Sequence, residues 1–124
     1  MKNPIMLCGS MFGLRVQRHR LFECSFPVLT PPCQHGKFPP VPVWGDGRPS
    51  RQEARRARRS IAVYGDHPQQ PGNGTVNRAR TLAEGRDAMG IDWMDWRPLT
   101  QAIPPAYSEF IGRAFLAQQQ RAAA

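Results

Sequence analysis

"VQRHRLFE", residues 16–23, decides how the chain is read. Three basic side chains in a row lead into Leu21 and Phe22. In an extended strand, residues two apart share a face, so Arg18 and Arg20 fall on one side and His19 on the other. The preceding "IMLCGSMFGL", residues 5–14, is apolar, and Gly9 and Gly13 suit a reversal between two short strands. A hairpin-like N-terminal unit carrying two guanidinium groups on one face is therefore expected.

The bulk composition limits what can surround that unit. With 124 residues, 13 Pro, 11 Gly and a mean hydropathy of -0.52, the chain can close only a modest core. A full doubly wound sheet with helices on both faces needs more residues. The formal charge of +8 and pI near 10.7 favour a polyanionic partner. The excess of arginine over lysine favours a reader of phosphates or base edges, whose acceptors match the guanidinium fork. Three cysteines, Cys8, Cys24 and Cys33, are an odd number without framework spacing, which points to a reducing cytoplasm. No apolar run is long enough to span a bilayer, and the first residues make a poor signal peptide. A cytoplasmic protein without a membrane partner is the expectation.

Beyond the hairpin, residues 27–77 read as an irregular, basic region. Prolines alternate with hydrophobic residues through "FPVLTPPCQHGKFPPVPVWGDGRP". Ser50 and Glu53 then have capping-box spacing, opening a helix dominated by Arg51, Arg55, Arg56, Arg58 and Arg59. A short strand over "SIAVYG", residues 60–65, and a loop follow. Residues 78–124 predict two helices. Thr81 and Glu84 form a second capping box with a stop at Gly90, and Pro105 suits the first turn of the closing helix. Along that helix Tyr107, Phe110, Ile111, Ala114 and Phe115 lie on one face and are expected in the core. The contents amount to a small, irregular α+β fold.

Three stretches, in order, resemble the later part of a DNA cytosine-5 methyltransferase, closest to forms common in phages and actinobacteria. "VQRHRLFE" is similar to the family's Gln-x-Arg-x-Arg element, with Arg18 and Arg20 on the two arginines and Val16 where the glutamine stands. "ARTLAEGRDAMGIDWM" resembles the threonine–glutamate helix after the target-recognition region. "LTQAIPPAYSEFIGRAFL" resembles the closing element, usually Gly-Asn-x-Val-Pro-Pro before a helix, with Thr100 and Gln101 replacing Gly-Asn. The matches cover roughly half the chain.

The resemblance implies a C-terminal fragment of an α/β, Rossmann-like enzyme. Residues 1–26 would end the catalytic sheet, 27–77 would form the variable DNA-recognition region, and 78–124 would pack helices back on the catalytic domain. It implies methyl transfer from S-adenosylmethionine to cytosine in double-stranded DNA, with the cofactor and nucleophile motifs missing from these residues, as in one chain of a split enzyme completed by an N-terminal partner, a truncated or decayed gene product, or a shortened protein kept for DNA binding. By the same resemblance Arg20 faces the base, Arg18 supports it, and Thr100 and Gln101 occupy a cofactor-contacting loop. The arginine helix and Trp44 and Tyr64 would approach DNA. Adding a thiolate to carbon six of an extruded cytosine builds negative charge toward O2, which a fixed guanidinium stabilises. A small, basic, non-enzymatic DNA-binding protein is the alternative reading.

"TPPCQHG", residues 30–36, imitates the family's nucleophile loop. The family's nucleophile precedes the Arg-x-Arg strand, however, and Cys33 follows it, with no cofactor loop or Glu-Asn-Val element before it. Cys33 is read as a look-alike. Cys24, Cys33, His35 and the distant His67 are soft ligands, but their spacing matches no common zinc pattern, so no metal site is expected.

Overall fold

A computed structural model describes residues 3–35, 60–65, 67–68 and 78–124. The Ser50–Glu53 capping box, Trp44 and the arginines at 51, 55, 56, 58 and 59 lie outside the described residues.

The expected N-terminal reversal is present, with shorter strands. β1 (Ile5–Leu7) pairs antiparallel with β2 (Arg20–Phe22), Ile5 opposite Phe22 and Leu7 opposite Arg20. A 3-10 turn at Gly9–Phe12 follows β1 and ends on Gly13. The strand expected over 16–23 is thus corrected to three residues. Val16 turns into the core instead of joining the ladder, and the preceding Arg15 carbonyl accepts Ile61 N–H at 2.7 Å. The strand expected over 60–65 is likewise reduced to one parallel bridge, Ala62 to Arg78. Its alternation survives, because Ile61 and Val63 are buried and Tyr64 is exposed.

Three helices, not the two expected, are found among the described residues: α1 (Leu82–Met89), α2 (Trp96–Gln101) and α3 (Pro105–Ala123). α1 starts and stops where its sequence dictates. Glu84 N–H donates to Thr81 Oγ1 at 3.1 Å, and the Glu84 carboxylate accepts Arg80 N–H at 2.7 Å. Gly90 ends it at φ 67, a left-handed conformation that glycine adopts without Cβ strain. Thr81→Ala is expected to cost about 1 kcal/mol by leaving that amide without its acceptor. A fall in the urea midpoint at unchanged slope would report it.

The additional helix, α2, has a packing cause. Arg86 bridges α1 to its start, donating to the Met94 carbonyl at 2.7 Å and approaching Asp95 at 3.6 Å. Its Trp96 and Leu99 are buried, and the Trp96 indole N–H donates to the Gly65 carbonyl at 2.8 Å. The Trp96 ring lies against Gly85, where a Cβ would come within 2.7 Å of it. Leu99 and Trp96 join Val16, Ile61, Val63, Ala79, Ala88, Met89 and Ile91 in one apolar cluster. Pro104 and Pro105 separate α2 from α3, because the residue before a proline is disfavoured in helical conformation.

α3 docks on the hairpin through its first turns. Tyr107 is fully buried, with ring centroids 5.4 Å from Phe12 and 6.2 Å from Phe22. Phe110 meets Phe12 at 5.5 Å. The expected core stripe is corrected beyond this point: Phe110, Ile111 and Ala114 are half-buried, and Phe115 is 44% exposed although it touches Phe26. The short hairpin covers only the N-terminal part of a 19-residue helix.

Candidate functional site

Arg18 lies where the hairpin meets the helices. Its guanidinium donates to the Thr100 carbonyl at the end of α2 and to Met89 Sδ, 3.4 Å away, at the end of α1. The Tyr107 hydroxyl, from α3, donates to the Arg18 carbonyl. Residues from all three helices therefore converge on one hairpin residue. Burial, and then the neighbouring Arg20 guanidinium, lower the Arg18 pKa from its usual value. Burial is also the main cause that pushes the Tyr107 hydroxyl well above the ordinary phenol range, keeping it a donor.

Arg20 is half-buried and donates to the His19 carbonyl at 2.9 Å. The guanidinium carries five N–H donors, and among the described residues this contact uses only part of the fork.

Thr100 and Gln101, expected in a loop, form the last turn of α2. The Thr100 hydroxyl donates to the Arg97 carbonyl at 2.8 Å and its carbonyl takes Arg18, so both groups are directed into the protein. Gln101 is exposed. Tyr64 carries the Arg78 guanidinium 4.1 Å above its ring, and Arg78 also donates to the Tyr64 carbonyl at 2.8 Å.

On the far end of the hairpin, His19 turns toward a different group. Its Nε2 lies 3.2 Å from His35 Nε2 and 3.5 Å from Cys33 Sγ, and the two imidazoles stack with centroids 5.1 Å apart. His35 Nε2 lies 3.5 Å from Cys8 Sγ. The four side-chain atoms of Cys8, His19, Cys33 and His35 all lie within 4.8 Å of one another. Cys24 and His67, considered with Cys33 and His35 from the sequence, are not among them. Partial burial, and then the nearby Cys8, raise the Cys33 thiol pKa, the opposite of what activates a nucleophile. The cluster escapes local spacing because it depends on strand pairing. Continuing the register Leu7–Arg20 by one step sets Cys8 opposite His19. Cys33 and His35, two apart in extended chain, then face them together.

Comparison with protein-family models, with curated proteins and with solved structures gives no match.

Proposed function

We propose that these residues are the C-terminal part of a DNA cytosine-5 methyltransferase, completed by an N-terminal half that carries the cofactor site and the nucleophile. The observation that supports this reading most is the Arg18 junction. Three stretches that resemble the family's late motifs, far apart in the chain, meet there: the Arg-x-Arg strand, α1, and the segment from Thr100 to Tyr107.

The roles are those the resemblance implies. Arg18, held by Thr100 and Met89, is a positioning residue that fixes the strand against the helices. Arg20, whose fork retains donors, faces the extruded cytosine and stabilises charge developing toward O2. S-adenosylmethionine supplies the methyl group in the complete enzyme. Phe115, 44% exposed, and Leu116, 60% exposed, lie on the part of α3 that the N-terminal half would cover.

The test combines the chain with a separately expressed N-terminal half containing the Pro-Cys and Glu-Asn-Val elements, labelled cofactor and double-stranded DNA. Label should enter cytosine only when both halves are present. Two folded halves that transfer nothing would count against the proposal.

The charge of +8 favours a second reading, a small non-enzymatic DNA-binding protein. On that reading the chain alone binds DNA, with affinity falling steeply as salt rises, and no added half changes the outcome.

A further inference from the structure

Four sulfur and nitrogen ligand atoms converge at the hairpin's end, from three separate stretches of chain. A tetrahedron's edge is about 1.6 times its centre-to-corner distance. With zinc bonds of about 2.0–2.1 Å to nitrogen and about 2.3 Å to sulfur, the edges become about 3.3 Å between nitrogens and about 3.5 Å between nitrogen and sulfur. The His19–His35 separation of 3.2 Å and the Cys33–His19 and Cys8–His35 separations of 3.5 Å match those edges. Both histidines present the same ring nitrogen, Nε2, toward the common centre.

Support around the ligands is also in place. Ser10 Oγ accepts Gln34 N–H at 3.1 Å and lies 3.2 Å from Cys8 Sγ. It thus ties the backbone between Cys33 and His35 to the 3-10 turn, and its hydroxyl is positioned to donate to the Cys8 sulfur, as outer-shell groups do around metal ligands.

We propose that Cys8, His19, Cys33 and His35 form a structural Cys2His2 site for one zinc ion. Two thiolates and two imidazoles are the donor set that suits a closed, four-coordinate zinc centre and leaves no open position for substrate. The ion fastens the chain after β2 back onto the hairpin. It also anchors His19, the residue between Arg18 and Arg20. The site does not depend on the methyltransferase reading, since its ligands and geometry stand whatever the protein acts on.

The experiment uses the full chain, stripped with chelator and then supplied with zinc or cobalt(II). Elemental analysis should find one zinc per chain after dialysis. Cobalt(II) should give the thiolate charge-transfer band and the intense visible bands of tetrahedral coordination. Cys33→Ser and His35→Gln are the informative variants, because Cys33 is half-buried and His35 exposed, whereas Cys8 is fully buried and its loss could impair folding. Both should lose the cobalt bands, Ser10→Ala should weaken zinc by about 10–100-fold, and Cys24→Ser should behave as the unaltered chain. A chain that leaves dialysis without zinc and gives no cobalt bands would overturn the proposal and leave the cluster as a hydrogen-bonded group. So would a Cys33→Ser protein that keeps full affinity, or a Cys24→Ser protein that loses it.

Discussion

Tyr107→Ala should lower stability by about 3–5 kcal/mol, the range for removing a large buried aromatic side chain. Tyr107 is the buried residue of α3, and its ring fills the space between Phe12 and Phe22. Its hydroxyl serves the Arg18 carbonyl, so truncation leaves both a cavity and an acceptor without its donor. Domains typically hold about 5–15 kcal/mol in all, and a small core lies toward the low end. Urea unfolding followed by circular dichroism should therefore show a transition displaced close to zero denaturant. Tyr107→Phe keeps the ring and removes only the donor, so about 1–3 kcal/mol is expected. Equal, small losses in the two variants would mean that α3 does not rest on the hairpin.

The parts of this fold that were legible in the sequence are those set by neighbouring residues. Thr81, Glu84 and Gly90 specify the ends of α1 through side-chain caps and a left-handed glycine, and Pro105 marks the start of α3. The parts that were not legible depend on tertiary contacts. Trp96–Gln101 has weak helical patterning and a proline at position 98. It becomes α2 because Trp96 and Leu99 are buried against α1 and Gly65 accepts the indole N–H. The apolar stripe on α3 has the right period, but period alone does not say how much of it a three-residue strand can cover.

The candidate sites divide in the same way. The sequence singles out Arg18 and Arg20 as neighbours two residues apart, although the strand itself begins only at Arg20. What His19 meets is fixed by the pairing of β1 with β2 and by the return of residues 33–35, a relation between positions far apart in the chain. Local ligand spacing carries no trace of it. Thr100 shows the converse: its place before the two prolines suggests a loop, yet its carbonyl is the group that holds Arg18.

The proposed methyltransferase role depends most on Arg20. Its guanidinium touches the carbonyl of the preceding residue, His19, and it is not part of the apolar core cluster, so Arg20→Ala should fold normally. Removing a preorganised donor from a developing oxyanion costs about 10²–10³ in rate. Arg18→Ala differs, because it also removes the contacts to Thr100 and Met89 and should lower stability together with activity. The most direct measurement is the single-turnover rate of methyl transfer by the reconstituted halves, with and without Arg20→Ala, alongside unfolding of both proteins. The expected result is methyl transfer that falls by about 10²–10³ in the variant at unchanged stability. An Arg20→Ala protein that transfers methyl groups at the undiminished rate would contradict the assignment.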